Sequence, residues 1–312
     1  MAELTLRPAD RVEITVLVDN YTDLLAVPTT PVERRPPYDP GRRLLAEHGL
    51  SCLVRIFASG KEHAVLLDTG LSCECLPWNA RQLGVPLDAI EAVVLSHGHY
   101  DHTGGLGSVF AGVGHQVPLI AHPDAFLRRR MNVPKQGVFN QPDVDAIALK
   151  KAGADIMMRS GPSTLAAGHL LVTGEVERKT PFEKGMPGAE IEKDGMWAPD
   201  PLRDDQALAV HVKDEGLVVL SGCAHAGIIN TVESAKKITG TNHVHAVLGG
   251  FHLSGPAFAG VIRPTVDAMG AIRPDYIVPM HCTGWEAVCR FRAAMPGKCI
   301  LNTVGTTYVF GR

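Results

Sequence analysis

Three histidines and one aspartate fall within six consecutive residues of the chain. The segment reads His97-Gly98-His99-Tyr100-Asp101-His102. In an extended backbone, residues i and i+2 point to the same side, so His97 and His99 can bind one ion together. Asp101 and His102 follow beyond a turn and can face a second ion on the other side. The segment therefore predicts half of a two-ion metal centre.

The residue types in this segment also limit the metal. Imidazole nitrogens with one carboxylate suit zinc, iron or manganese better than calcium or magnesium. We therefore expect two divalent transition-metal ions as cofactors, Zn²⁺ first, with Mn and Fe as alternatives. Two such ions roughly 3.5–4 Å apart can share a water and lower its pKa toward about 7, which gives hydroxide at neutral pH. The sequence contains no Gly-x-Ser-x-Gly elbow and no P-loop, so no competing nucleophile is predicted.

The elements that must position these side chains are predicted from short β-branched runs that alternate with helix-length segments. Strands are predicted over residues 12–18, 52–57, 64–67, 92–95, 170–173, 207–212, 217–220, 244–248, 276–279 and 306–310. Helices are predicted over residues 76–83, 123–130, 228–238, 256–269 and 285–294. The pattern predicts an α+β fold, one domain over residues 1–312, with two mixed sheets face to face and helices outside.

Two segments interrupt this pattern. Residues 131–146 and 178–203 are rich in proline and glycine and are predicted as long loops, either lids or plain surface excursions. The basic run Arg128-Arg129-Arg130 is interpreted as a solvated helix end rather than a phosphate site.

Composition excludes several classes of protein. The 312 residues are 45% hydrophobic and carry a net charge of -3, so there is no basic field for nonspecific nucleic-acid binding. Seven cysteines without a disulfide-framework spacing favour a reducing compartment. No signal peptide and no apolar run of about 20 residues is found, which excludes a membrane partner. We expect a cytoplasmic protein with a small-molecule substrate, and a homodimer as the commonest assembly.

The histidine-rich segment resembles the His-x-His-x-Asp-His signature of the metallo-β-lactamase superfamily. The segment Leu66-Leu67-Asp68-Thr69-Gly70 looks like that family's strand-end aspartate motif. The resemblance implies an αββα sandwich with the metals at one edge of the two sheets. It implies His97, His99, Asp101 and His102 as metal ligands and Asp68 as a carboxylate that braces the metal loop.

Segments of the second half resemble one branch of this superfamily, which contains an archaeal 7,8-dihydropterin-6-methyl-4-(β-D-ribofuranosyl)aminobenzene-5'-phosphate synthase and bacterial relatives. They are Gly222-Cys223-Ala224-His225, Gly249-Gly250-Phe251-His252, Met280-His281-Cys282-Thr283-Gly284 and Asp204-Asp205-Gln206, with Val18-Asp19-Asn20 and Thr173-Gly174-Glu175 before them. The similarity runs over nearly the whole chain.

The remaining ligands are expected from histidines that follow predicted strands. His281 stands where the superfamily's last histidine usually does and is assigned to the second site. Many members carry a metal-bridging aspartate as Thr-Gly-Asp, where this chain has Ser221-Gly222-Cys223. Cys223 is either a thiolate ligand or a small buried residue behind His225, and we assign the first site to His225. His252 is assigned to the substrate side, with a reserve-ligand or structural role as the alternative.

Hydrolysis of an ester, lactone, thioester or phosphoester by metal-bound hydroxide is the predicted reaction, with Asp101 holding the nucleophile and passing on its proton. The branch resemblance implies an alternative, a transferase that joins a pterin-like pyrophosphate to an aminobenzene ribose phosphate by displacing pyrophosphate. Low aromatic content, 5%, favours simpler hydrolysis. A di-iron redox site is disfavoured because superfamily members with such a site carry glutamate at the position of His99. A non-catalytic metal-binding sensor is disfavoured because every signature ligand is present.

Overall fold

Strands and helices follow the sequence patterns closely over most of the chain. In this computed structural model, which describes residues 5–312, the strands are β1 (Arg11–Val18), β2 (Glu33–Arg34), β3 (Ser51–Ala58), β4 (Lys61–Leu67), β5 (Ala92–Val94), β6 (Val117–Ala121), β7 (Arg129–Val133), β8 (Gly137–Asn140), β9 (Ala154–Met158), β10 (Ser163–Leu165), β11 (Leu170–Val172), β12 (Ala189–Lys193), β13 (Met196–Pro199), β14 (Ala207–Val212), β15 (Gly216–Ser221), β16 (Val244–Gly250), β17 (Tyr276–Met280) and β18 (Thr307–Gly311). The α-helices are α1 (Cys75–Leu83), α2 (Tyr100–Thr103), α3 (Leu106–Val113), α4 (Ala146–Lys151), α5 (Ile228–Thr239), α6 (Ala259–Ile272) and α7 (Trp285–Ala294). Each predicted strand overlaps one of these strands.

The strands form three sheets. The first sheet has eight strands in the order β2-β18-β1-β3-β4-β5-β6-β9, and the second has six in the order β10-β11-β14-β15-β16-β17. Both are mixed: β4, β5, β6 and β9 run parallel in the first sheet, and β15, β16 and β17 run parallel in the second. A small third sheet has the order β13-β12-β7-β8.

Three buried apolar layers hold the sheets and helices together. The central layer joins the facing sides of the first two sheets, with Val54 and Val65 on one side and Val218 and Leu248 on the other. The outer layers pack α1, α3 and α4 on the first sheet and α5, α6 and α7 on the second. Because each fully buried Val or Leu contributes about 1.5–3 kcal/mol, these layers fix the order helix, sheet, sheet, helix. The predicted αββα fold class is confirmed.

Parallel strands deliver the chemistry-bearing residues to one edge. Asp68 follows β4 and His97 follows β5, while Cys223, His252 and His281 follow β15, β16 and β17. Since parallel strands end at the same edge of a sheet, loops from both halves of the chain meet there.

The third sheet corrects two sequence predictions. The predicted helix over residues 123–130 is wrong: a 3-10 turn covers Pro123–Phe126, and β7 begins at Arg129. The predicted long loops at 131–146 and 178–203 contain β8, β12 and β13. Their prolines and glycines mark turns between charged strands, where Arg130 pairs with Glu190 and stacks on Trp197 with its guanidinium carbon 4.1 Å from the ring centre.

The basic run is also corrected. Arg129 is buried rather than solvated, and it forms ion pairs with Asp200 and Asp204. None of the helices in the part of the chain that the structure describes is long and apolar enough to cross a membrane.

Candidate metal centre

One group of three buried histidines forms the first half of the candidate centre. Nε2 of His225 lies 3.2 Å from Nε2 of His97 and 3.1 Å from Nδ1 of His99. All three ring nitrogens lie within 4.8 Å of one another. The two residues predicted to share an ion thus meet the histidine predicted to complete that site, across the gap between the two large sheets.

A second group lies beside the first. Oδ2 of Asp101 is 3.3 Å from Nε2 of His281 and 3.8 Å from Nε2 of His102. His102 and His281 come from opposite halves of the chain, and their ring centroids are 5.0 Å apart. The rings of His97 and His102 are 4.3 Å apart, so the two groups adjoin. These are the two sets of residues that the sequence assigned to two ions.

The electrostatics keep the first group neutral. Burial, reinforced by neighbouring histidines, lowers the pKa of His97 and His225 well below its ordinary value. Burial and the Arg129 guanidinium lower the pKa of His99 to about 3. All three side chains are therefore neutral at physiological pH, the protonation state in which an imidazole can bind a metal.

The second group carries charge. Burial acts to raise the pKa of Asp101, but His102 and His281 outweigh it and lower that pKa. Burial acts to lower the pKa of His102, but the carboxylates of Asp68 and Asp101 outweigh it and raise the pKa to about 9. A divalent cation bound here would have to displace the proton of His102, because a ligating imidazole must be neutral.

The hydrogen-bond partners show that both groups fit a cation. His281 Nδ1 lies 3.1 Å from the side-chain oxygen Oδ1 of Asn20, and in the neutral tautomer whose Nδ1 donates to this oxygen, Nε2 carries a lone pair. That Nε2 has no hydrogen-bond partner, although it faces the Asp101 carboxylate. In the first group, His225 Nε2 faces two other ring nitrogens, and one proton cannot satisfy all three. Converging lone pairs of this kind are satisfied by a shared cation, so the donor set fits a metal.

Asp68 is linked by hydrogen bonds to one histidine of each group, directly or through Ser96. Its Oδ2 accepts hydrogen bonds from His102 Nδ1 at 2.7 Å and from Ser96 Oγ at 2.6 Å. The hydroxyl oxygen of Ser96 in turn lies 2.8 Å from His97 Nδ1 and accepts a hydrogen bond from its N–H. Both imidazoles are thus held in the tautomer that leaves Nε2 free for a ligand.

The segment 204–206 braces the same loops from the second sheet. Asp204 Oδ2 accepts from the backbone of Gly98 at 2.8 Å and from Arg129 Nη2 at 2.7 Å. A side chain at Gly98 would collide with the Ala125 carbonyl, 2.3 Å from an added Cβ, so glycine is required there. Asp205 accepts from the Ala226 backbone at 2.8 Å, next to His225. The third sheet is therefore tied to the metal loop through Arg129.

The first and last parts of the chain place His281. Asp19 Oδ1 accepts from the His281 backbone N–H at 2.8 Å, and its Oδ2 accepts from Asn302 Nδ2 at 2.6 Å. Asn302 Oδ1 accepts from the Tyr308 hydroxyl at 3.0 Å.

Four non-glycine residues around the centre have a strained backbone. Asp68, Ala224, His252 and His281 have φ between 44° and 56°, in the left-handed region that non-glycine residues avoid. Each such residue costs on the order of 1–3 kcal/mol and persists because its surroundings hold it there.

A cleft of about 530 Å³ opens onto both groups. His99, Asp101, His225 and His281 lie at its floor. Its other lining residues include Tyr21, Tyr100, Met186, Trp285 and Val288. Trp285 is 69% exposed, which is unusual for an indole and places it at the cleft wall in contact with solvent. Aromatic residues are scarce in the whole sequence, but three of them line this cleft.

His252 also lines the cleft, as its predicted role on the substrate side requires. Its ring contacts that of His225 in a tilted arrangement with centroids 4.2 Å apart, and its Nδ1 has no hydrogen-bond partner. Its ring also contacts Phe258, which with Phe182 and Phe251 lines a smaller apolar pocket of about 190 Å³ behind the histidines.

Sequence reasoning missed His48. Its Nε2 lies 3.4 Å from Asp101 Oδ2, and its ring is 5.0 Å from that of His281. His48 stands in an irregular segment with no neighbouring histidine, so no sequence pattern singles it out. Arg129 and Asp204 were also missed, although the segment Asp204-Asp205-Gln206 carried part of the branch resemblance.

Comparison with known proteins agrees with this geometry. The model of the metallo-beta-lactamase superfamily matches residues 46–281. The 7,8-dihydropterin-6-methyl-4-(beta-D-ribofuranosyl)-aminobenzene-5'-phosphate synthase of Methanocaldococcus jannaschii is 32% identical over 249 residues, which cover 78% of this chain and 83% of that protein. An uncharacterized protein of the same organism is also 32% identical, over 80% of this chain and 89% of its own length.

Two solved structures show the fold. The crystal structure of a metal-dependent hydrolase of the beta-lactamase superfamily has a TM-score of 0.75 and 25% identity, covering 96% of this chain and 100% of that one. The metallo-beta-lactamase fold protein YhfI from Bacillus subtilis has a TM-score of 0.51 and 14% identity, with coverage of 96% and 100%. The resemblance to the superfamily and to the synthase branch is confirmed. This chain belongs to the metallo-beta-lactamase superfamily.

Proposed function

We propose that this protein is a dinuclear metal-dependent hydrolase that acts on a neutral ester, lactone or thioester. The observation that carries the proposal is the pair of adjoining donor groups, each with ring nitrogens that converge without satisfactory partners. His97, His99 and His225 would hold one divalent ion, and Asp101, His102 and His281 the other. When bound, two such ions supply Lewis acidity, which activates a water and stabilises negative charge on the attacked oxygen.

The residues of the chain have their own tasks. Asp101 lies at the floor of the cleft, where its carboxylate can orient the attacking water and accept its proton. His48 Nε2, on the solvent side, fixes the orientation of that carboxylate from 3.4 Å. His252 lines the cleft beside His225 and would contact the substrate. Tyr21, Tyr100 and Trp285 provide flat apolar surfaces for an aromatic or alkyl part of the substrate.

The charge of the cleft favours a neutral substrate. Among the described residues that line it, none is lysine or arginine. Phosphate and pyrophosphate groups are usually recognised by arginine forks or lysine ammonium groups. A substrate with several phosphate groups would therefore depend on the metal ions alone for charge neutralisation. An acyl substrate needs no such partner away from the metals.

A second candidate is supported by the archaeal relative. A protein named as a synthase is 32% identical over 78% of the chain, so a transferase that forms a bond to an aminobenzene ribose phosphate and releases pyrophosphate is a specific alternative. Relatives on one fold need not share a substrate.

One experiment separates the candidates. Metal-loaded protein is assayed against neutral aryl and alkyl lactones, esters and thioesters, and in parallel against a dihydropterin pyrophosphate with the aminobenzene ribose phosphate. We expect acid release from the neutral acyl substrates and no pyrophosphate release. Asp101→Asn should lose the acyl activity while Trp285→Ala should mainly raise KM for aromatic substrates. Pyrophosphate release with a coupled product would establish the synthase instead, and metal binding without any turnover would favour a sensor.

A further inference from the structure

We propose that the Cys223 thiolate bridges the two metal ions, so that sulfur takes the position where other members of the superfamily place a carboxylate. This inference rests on the two-ion centre of the proposed function. It makes Cys223 a metal ligand, the first of the two roles that the sequence left open, rather than a small buried residue behind His225.

The position of the sulfur is the first argument. Cys223 Sγ lies 3.1 Å from Nε2 of His102, the ring nitrogen that Asp68 leaves free for a ligand. Cys223 forms a compact donor set with His97 and His102, in which all donor atoms lie within 4.8 Å of one another. Two further compact sets each include one histidine of the centre: Cys223 lies with His225 and His252 in one, and with His281 and Cys282 in the other. A sulfur that adjoins both groups is placed between them.

The local backbone explains how the sulfur reaches this point. β15 ends at Ser221, and Gly222 then packs directly on the bracing residues of the metal loop. A Cβ at Gly222 would lie 2.0 Å from Ser96 Oγ and 3.0 Å from Asp68 Oδ2. This approach is possible only for glycine, and it delivers the next side chain, Cys223, to the gap between the histidine groups.

The surroundings of Cys223 differ from those of a cysteine that serves as a small apolar residue. Cys52 is equally buried, but it packs in the central apolar layer among Val, Leu and Ile side chains. Cys223 is 2% exposed and faces ring nitrogens. Cys282 is also near, but its Sγ donates to the Cys223 carbonyl oxygen at 3.7 Å, so it positions the backbone of Cys223.

The chemistry of a thiolate would narrow the choice of metal. Binding of the ions releases the thiol proton to solvent and forms sulfur–metal bonds, with no change in oxidation state. Thiolates favour zinc and other borderline or soft ions over manganese and magnesium. The centre should therefore select zinc more strongly than six ligands of nitrogen and oxygen alone would.

Cobalt substitution tests the proposal without any substrate. The full-length protein is stripped of metal, titrated with Co²⁺, and followed by near-ultraviolet absorption and by elemental analysis. We expect a sulfur-to-cobalt charge-transfer band that grows until two ions are bound. Cys223→Ser should lose the band and bind its second ion at least tenfold more weakly. Cys282→Ser is the matched control and should keep the band, with two ions bound.

The variant Cys223→Asp tests whether the losses in Cys223→Ser result from misfolding rather than from loss of a ligand. A carboxylate in this position should restore binding of two ions without the band. Any of three results would overturn the inference. The band persists in Cys223→Ser, the band is lost in Cys282→Ser, or wild-type protein binds two cobalt ions without showing the band. These results leave the hydrolase proposal intact if turnover is observed. If the band is intact but no turnover is observed, the hydrolase proposal is contradicted and the thiolate bridge is not. If wild-type protein binds no cobalt, both proposals are contradicted.

Discussion

Two buried polar clusters of this protein differ in how completely their hydrogen bonds are satisfied. The first is the candidate metal centre, and the second surrounds the ion pair of Glu33 and Arg35, which we call the Glu33 cluster. In the Glu33 cluster, Oε1 accepts four hydrogen bonds from the backbone and hydroxyl groups of Thr29 and Thr30. Oε2 accepts from Arg35, whose other donors reach Leu301 and Thr303.

In the candidate metal centre, by contrast, the hydrogen-bonding capacity of the buried polar atoms is not fully satisfied. Nitrogen faces nitrogen between His225, His97 and His99, and the buried Nδ1 of His225 and Nε2 of His281 have no partner. Buried polar groups that serve only the fold are almost always paired. The contrast indicates that the Glu33 cluster stabilises the fold by itself, whereas the histidine groups require a further component.

Replacement of His97 and His99 together by alanine should give the largest effect of the comparison. Metal content should fall from two ions per chain to one or none. Turnover should fall by at least about 10³-fold, because the electrostatic stabilisation of the transition state by a bound ion is lost. The metal-free variant should remain folded, with a smaller loss of unfolding free energy than a change in the Glu33 cluster causes. Elemental analysis, steady-state kinetics and urea unfolding measure these three quantities. Turnover that survives would place the nucleophile elsewhere.

Glu33→Gln should have the opposite profile. Loss of the charge leaves Arg35 buried without its counterion, which costs on the order of 3 kcal/mol of unfolding free energy. The folded protein should still bind two ions. Asp267→Asn is a matched control, because Asp267 and Arg263 form an exposed pair and such pairs contribute about 0.3–0.5 kcal/mol. Equal losses for the two variants in urea unfolding would contradict the role assigned to the Glu33 cluster.

Asp68→Asn should give the smallest effect of the three. The amide keeps the shape of the side chain but no longer offers two acceptor oxygens to Ser96 and His102. Metal affinity should fall about 10–100-fold, as it does when a carboxylate behind a ligating histidine is lost. Competition with a chelator measures the change. An unchanged affinity would show that the histidines keep their orientation without Asp68.

The part of the site that could be predicted is the part that is local in sequence. His97, His99, Asp101 and His102 are neighbours in the chain, so their types and spacing sufficed. His225 and His281 could be proposed because each follows an apolar strand, and parallel strands bring such ends to one edge. Ten strands of the two large sheets were predicted from apolar runs, because buried strands leave a strong sequence signal, whereas β2, β6, β9, β10 and the order of the strands were not.

The remainder depended on contacts between distant residues. Arg129 stands in a run of three arginines, and only the buried carboxylates of Asp200 and Asp204 distinguish it from its solvated neighbours. The third sheet was missed because its strands are charged and short, and its cross-strand ion pairs replace the apolar pattern. His48 gains its position from the fold alone.

The placement of His281 has a consequence for how the protein matures. Asp19, His281 and Asn302 are joined by hydrogen bonds across sequence separations of 262 and 283 residues. Closing such long loops is entropically costly and happens late in folding. A chain that is still being synthesised, and that lacks residues 302–312, cannot complete this link. The proposed ligands from the middle of the chain can assemble earlier, so an ion beside His281 would bind in its final geometry only after Asn302 has been added to the chain.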